Sequence, residues 1–215
     1  MKLLSIGNSF SQDAQEWLHQ IAVANGVELE TTNLMIGGCS LETHWNHVVD
    51  KECAYYLEQN GKNTDRMVTL DEGLALDAWD VITVQQVSHY SGMYETYEPY
   101  LTEVLDFIRK TCPKAKIIWH QTWSYATTSE HPGFANYDRD QELMWSKIEE
   151  CSHRAVKEHN LDGILEVGKA IQTLRRTLPP DGTEFCRDGF HLSYDYGRYA
   201  AAYVWAKFFS HDITD

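Results

Sequence analysis

Short apolar runs alternate with longer stretches of amphipathic spacing along the whole chain. The runs at residues 2–7, 27–35, 81–84, 116–119 and 163–167 are compact and bounded by Gly, Asp or polar residues. Each predicts a buried strand. Between the first two, Ala14, Trp17, Leu18, Ile21 and Ala22 recur at helical spacing over 12–25, with Ser11 as the expected N-cap. Helices are predicted likewise over 41–59, 97–109 and 141–159, and over 169–177, where Pro179-Pro180 is the stop. A last helix is expected from about Tyr194, capped by Ser193, to about Ser210. The polar stretch 61–76, with Met67-Val68-Thr69-Leu70 at its centre, predicts a hairpin or a long loop.

Strands that alternate with helices build a parallel sheet covered on both faces. The expected fold class is therefore α/β: a flavodoxin-like three-layer α/β/α sandwich on a five-stranded parallel sheet. Residues 1–215 are expected to form a single domain. Such sheets bind ligands beyond the carboxyl ends of their strands, which is where chemistry is to be sought.

Composition narrows the partners. A hydrophobic fraction of 43% beside 23% charged residues is that of a globular chain able to bury a core. The formal net charge of -14 repels phosphate backbones and anionic headgroups, so neither nucleic acid nor a membrane is an expected partner. The five cysteines, Cys39, Cys53, Cys112, Cys151 and Cys186, show no C-x-x-C pairing and are odd in number. They predict buried free thiols and no zinc knuckle, and they favour a reducing compartment. No secretory signal is read after Met1-Lys2, so a cytoplasmic location is expected, with an export signal removed before residue 1 left open.

Two segments carry candidate chemistry. Gly7-Asn8-Ser9-Phe10-Ser11 lies between the first strand and the first helix. A nucleophilic serine needs an exposed hydroxyl, a tight turn and nearby free N–H groups, and a strand-to-helix junction supplies all three. A helix cap at this point would look similar. Asp188-Gly189-Phe190-His191 precedes the final helix. An imidazole activates a serine best when a carboxylate fixes its tautomer, and a carboxylate three residues upstream can reach the ring. In a doubly wound sheet both segments can meet at one edge.

Together these segments resemble the SGNH (GDSL-like) hydrolase superfamily, in a little-characterised branch with a Gly-Asn-Ser-Phe first block. Gly7-Asn8-Ser9 stands where the family has Gly-Asp-Ser, and Asp188 to His191 matches its Asp-x-x-His block unchanged. The resemblance implies Ser9, Asp188 and His191 as the catalytic triad. It also implies an oxyanion hole formed by the N–H groups of Ser9 and Gly38 and by a side-chain amide. The family's Gly-x-Asn-Asp block is absent; Val84-Gln85-Gln86-Val87-Ser88-His89 stands in its place. A glutamine is expected to supply the missing amide, Gln86 first and Gln85 in reserve. The absence of a G-x-S-x-G elbow argues against the α/β-hydrolase fold.

The remaining candidates have competing readings. His120 and Trp123, after the fourth strand, are expected either to line the substrate cleft or to pack beneath it. Tyr90 and Tyr94 are candidates for a sugar-stacking wall, whereas Tyr97 and Tyr100 are expected to pack the next helix. His44 and His47 lie one helical turn apart, with no third ligand near them in sequence, so they read as a solvated helix face. Arg175-Arg176 reads as a basic helix end. The expected function is hydrolysis of small acyl esters, acetyl groups above all, on a small-molecule or carbohydrate substrate, with no metal and no organic cofactor. Acyl transfer through the same triad, or a non-catalytic ligand-binding domain, are the alternatives.

Overall fold

The computed structural model describes residues 1–178 and 182–210. Among these residues the strands are β1 (Lys2–Gly7), β2 (Glu30–Met35), β3 (Tyr55–Gln59), β4 (Lys62–Val68), β5 (Val81–Val84), β6 (Lys116–His120) and β7 (Gly163–Leu165). They form one sheet in the order β4-β3-β2-β1-β5-β6-β7. The five expected strands are present and pair in parallel, while β3 and β4 add an antiparallel edge beside β2. The sheet is therefore mixed and seven-stranded, not five-stranded and parallel.

The extra hairpin corrects the expected 41–59 helix. That helix, α3 (Leu41–Asp50), stops where Lys51 takes a left-handed cap, and the chain re-enters the sheet at Tyr55. Tyr55 and Leu57 are fully buried while Tyr56 between them is exposed, the period-two pattern of a strand. Asn60-Gly61 then turns the chain in two residues of positive φ, the signature of a tight hairpin. Within 61–76 the chain forms β4 and then the short helix α4 (Leu70–Ala75), which Thr69 and Glu72 close with a reciprocal capping box.

The helices cover both faces. Leu3, Val81 and Ile118 point into one core with α1 (Ser9–Gln15), α2 (Leu18–Ala24), α7 (Val167–Thr177) and α8 (Tyr196–Phe209). Leu4, Ile6, Ile82 and Ile117 point into the other, against α3, α4 and α5 (Tyr100–Thr111). Helix α6 (Gln141–Glu158) contributes Met144 and Ile148 to the first core and Cys151 and Ala155 to the second. The single helix expected over 12–25 is two, and Asn8, not Ser11, caps the first by accepting from the Phe10 N–H. Ser193 does serve the last helix, accepting from the Gly197 N–H at 2.9 Å. Pro179-Pro180 lies outside the described residues. Cys39, Cys151 and Cys186 are buried free thiols as expected, but Cys53 is exposed. No helix among the described residues is long and apolar enough to cross a membrane.

Register aligns the strand ends that matter. Ile6 pairs with both Leu34 and Val84, and Val84 with Trp119, so the loops after β1, β2, β5 and β6 emerge along one edge. Leu57→Ala tests whether the hairpin belongs to the core. It is expected to cost about 2–5 kcal/mol of unfolding free energy in a denaturant titration, as for a buried leucine. A cost near zero would return residues 55–68 to a surface loop.

Candidate active site

The junction after β1 is built by close approach. A Cβ on Gly7 would sit 2.3 Å from Ser11 Oγ, so glycine lets α1 fold straight back over the strand end. Asn8 is extended and fully buried, and its amide ties three loops together. Its Oδ1 accepts from the Phe10 N–H at 3.0 Å and from Gln85 Nε2 at 2.9 Å, and its Nδ2 donates to the Cys39 carbonyl at 3.0 Å. Ser9 follows as the first residue of α1, half-buried, in the turn where helix N–H groups lack intrahelical partners.

The Asp188–His191 turn reaches this point from 182 residues away. Ser9 Oγ lies 2.8 Å from His191 Nε2, and His191 Nδ1 lies 2.7 Å from Asp188 Oδ2. The other carboxylate oxygen accepts from the backbone N–H groups of His191 at 2.8 Å and Phe190 at 3.2 Å. Partial burial pushes the Asp188 carboxyl up, but the His191 ring and those two N–H groups outweigh it and hold the group below its ordinary value. An ionised Asp188 therefore faces Nδ1, fixing the tautomer in which Nε2 is a bare acceptor towards Ser9.

Gly38 lies across the cleft in a turn closed by the Cys39 N–H on the Ile36 carbonyl at 3.2 Å. Its φ of 66° is left-handed, where a side chain would be strained. Among the described residues, neither its N–H nor that of Ser9 enters a hydrogen bond, so both are free to donate.

The glutamines do something else than expected. Gln86 is fully buried with both ends of its amide engaged. Oε1 accepts from the N–H groups of Leu41 at 3.0 Å and Val87 at 2.8 Å, and Nε2 donates to the Thr96 carbonyl at 3.1 Å and hydroxyl at 3.2 Å. Gln85, also buried, bridges Asn8 and His120. Neither amide lines the cleft; Val87, Ser88 and His89 do. The expected side-chain donor is thus replaced by a brace that holds the loops together.

The cleft-lining expectations for His120, Trp123 and Tyr90 are corrected in the same way. His120 is 1% exposed and donates from Nδ1 to Gln85 Oε1 at 2.7 Å, and burial drives its pKa down to about 3, so it stays neutral. Trp123 is fully buried, stacks on Phe10 with centroids 4.1 Å apart, and donates to the Phe190 carbonyl at 2.7 Å. Tyr90 packs its ring against His89, outside the cleft lining. Tyr97 is a packing residue, as expected, bonded to the Ser91 carbonyl at 2.7 Å. His44 is not on a solvated face: it is buried against Tyr55, whose hydroxyl lies 2.9 Å from Nδ1. Arg175 is more than a basic helix end, since its guanidinium binds the Glu184 and Ser124 carbonyls.

The cleft, about 340 Å³, is lined by Ser9, Gly38, His89, His131, Phe190 and His191 among others. Two larger hollows, of about 660 and 860 Å³, open at the opposite end of the strands beside Lys2 and Lys116, away from the Ser9–His191 pair. His89 and His131 were not singled out in the sequence, where no spacing relates them to the two motifs. Their rings stack 5.6 Å apart, and His131 also packs on Phe190 at 4.8 Å. Burial lowers both pKa values, helped by His131 facing His89 and by His191 facing His131, with Asp188 opposing the shift of His131. His131 Nδ1 accepts from the Gly133 N–H at 3.0 Å, so in the neutral ring the proton sits on Nε2.

Among the described residues no group of three or more His, Cys, Asp or Glu is arranged to hold a metal.

Over residues 2–215 the chain matches the model of a family described as a domain of unknown function, DUF4886. A DUF4886 family protein from Bacteroides uniformis is 37% identical and superposes with a TM-score of 0.93, covering 100% of this chain and 86% of its own. A protein provisionally named an SGNH hydrolase, from Slackia heliotrinireducens, is 19% identical with a TM-score of 0.66 over 98% of this chain and 99% of its own. A catalytic mutant of an acetylxylan esterase from Geobacillus stearothermophilus is 13% identical, with a TM-score of 0.62 over 96% of this chain and 92% of its own. At such low identities the last two speak for the fold alone, a three-layer α/β arrangement shared with SGNH hydrolases. No curated protein sequence matches the chain. The match along nearly the whole length, with a family member 37% identical, shows that this chain belongs to the DUF4886 family.

Proposed function

We propose that the protein is a serine esterase acting on small acyl esters, with Ser9 as nucleophile, His191 as general base and acid, and Asp188 as the group that orients His191. The observation that carries this reading is the continuous line from Asp188 through His191 to Ser9, with bonds of 2.7 and 2.8 Å. Ser9 Oγ attacks the ester carbonyl as Nε2 takes its proton, and Asp188 stabilises the resulting imidazolium. The N–H groups of Ser9 and Gly38 receive the oxyanion. Collapse of the tetrahedral species expels the alcohol, protonated by His191, and leaves an acyl group on Ser9. His191 then activates water to release the acid.

The cleft, about 340 Å³, has room for a small-molecule ester. The wall of His89, His131 and Phe190 suits an alcohol with both apolar faces and hydroxyls. Its imidazoles are neutral, and His131 offers a fixed Nε2–H donor. A carbohydrate ester has that chemistry, and the resemblance in fold to an acetylxylan esterase supports it.

Three variants test the reading. Ser9→Ala is expected to lower kcat on p-nitrophenyl acetate by roughly 10⁴-fold or more, as for loss of a nucleophile. A variant that keeps wild-type turnover would remove Ser9 from the chemistry. His131→Phe keeps the ring stack and deletes the Nε2–H donor, along with the Nδ1 acceptor of the Gly133 N–H. It is expected to reduce kcat/KM on a monoacetylated methyl xyloside roughly three- to tenfold, the scale of one neutral hydrogen bond, while p-nitrophenyl acetate changes little. Equal loss on both esters would make His131 a structural residue only. Gln86→Ala leaves two buried N–H groups and a carbonyl unpaired, so unfolding free energy should fall by on the order of 3 kcal/mol. Turnover of the folded variant should fall by less than the ~10²–10³ loss expected for an oxyanion donor.

A further inference from the structure

Helix α1 carries a second buried polar group one turn beyond Ser9, and the chemistry above does not use it. Asp13 has no exposed surface. A carboxylate in that position is costly unless several donors surround it, and here they do. Arg187 Nη1 lies 3.0 Å from both carboxylate oxygens, Arg198 reaches Oδ1 through Nε at 2.8 Å and Nη2 at 2.7 Å, and the Leu192 N–H donates to Oδ2 at 2.8 Å.

These partners bracket the site. Arg187 immediately precedes Asp188, and Leu192 immediately follows His191. One carboxylate on the helix of the nucleophile therefore holds both ends of the segment that brings the base. That segment belongs to no helix, and only an isolated bridge between Cys186 and Leu192 pairs it with itself. Its internal bonds, Arg187 N–H to the His191 carbonyl, the Arg187 guanidinium to the Leu192 carbonyl and the two N–H groups on Asp188 Oδ1, shape the turn without placing it against α1. The Ala126 N–H on the Gly189 carbonyl and Trp123 on the Phe190 carbonyl tie it to the loop after β6. Among the described residues, the polar contacts joining residues 185–192 to α1 are those of Asp13 and the Ser9–His191 bond itself.

The other side of α1 is anchored separately. Ser11 Oγ donates to Asn33 Oδ1 at 2.8 Å, and Asn33 Nδ2 donates to Glu58 Oε2 at 2.8 Å. Helix α1 is thus fastened to the sheet through Asn33 and Glu58, and the catalytic loop is fastened to α1 through Asp13.

We propose that Asp13 is a positioning residue that sets the Ser9–His191 distance by clamping Arg187 and Leu192, an inference that rests on the esterase reading. A reacting group displaced by about 1 Å can lose about a hundredfold in rate, so the clamp should act on kcat and leave substrate binding alone. Its proper test is Asp13→Asn in the whole protein, which keeps shape and removes the charge. The variant is expected to lose at least about tenfold in kcat on p-nitrophenyl acetate with KM within about twofold. The downfield proton signal of His191 Nδ1–H should shift or broaden away. A purely structural Asp13 would lower the melting temperature yet leave kcat and that proton signal unchanged well below it. Should Asp13→Asn fail to fold, Arg187→Met removes one of the two loop-side contacts together with the Arg187 bond to the Leu192 carbonyl, leaves Asp13 paired with Arg198 and the Leu192 N–H, and is expected to show the same kcat loss on a smaller scale. Wild-type kcat and proton signal in the folded variants would overturn the proposal. A fully active Ser9→Ala protein would instead overturn the esterase reading, while a changed His191 signal in Asp13→Asn would still show the clamp.

Discussion

The bond between Ser9 Oγ and His191 Nε2 joins residues 182 positions apart, and the rest of the architecture serves to hold it. Neither partner lies on a strand. Ser9 opens a helix that folds directly back from β1, and His191 sits on a loop with a single bridge of its own. Long-range contacts of this kind demand support from outside the pair, because either element alone has many ways to move. The parallel register provides the coarse alignment by bringing the loops after β1, β2, β5 and β6 to one edge. Buried polar groups provide the fine adjustment.

Those polar groups form two braces of different character. Neutral groups, Asn8 with Gln85 and His120 and separately Gln86, fasten the loops carrying Ser9, Gly38 and the cleft wall. Asp13, Arg187 and Arg198 make a charged brace that fastens the Asp188–His191 loop to α1. The two glutamines thus organise the loops around the cleft without lining it.

The parts legible in sequence were those where chemistry and local pattern coincide. Gly7-Asn8-Ser9 at a strand end and Asp188 to His191 before a helix announced a site, and the five parallel strands announced the sheet. The first strand of the hairpin is hidden because residues 41–59 read as one moderately apolar stretch, whereas 61–76, which holds β4, does read as a hairpin or a loop. Tyr55, Tyr56 and Leu57 are all apolar in sequence, so the alternation that buries the first and third and exposes the second is not written there, and Asn60-Gly61 is the local sign of a hairpin. The role of Gln86 could not be read at all, since β5 ends at Val84 and both following side chains are buried in opposite networks that only three-dimensional contacts define. His131 lay outside any motif, and its place beside His191 depends on the loop after β6 folding under Phe190.

The most direct measurement is a crystal structure of the protein after reaction with a fluorophosphonate, whose tetrahedral phosphorus mimics the acyl-transfer transition state. Phosphorus bonded to Oγ of residue 9 is expected, with its oxygen within hydrogen-bond distance of the backbone nitrogens of residues 9 and 38 and the Gln86 amide still turned away. Phosphorus on any other side chain would contradict the esterase account.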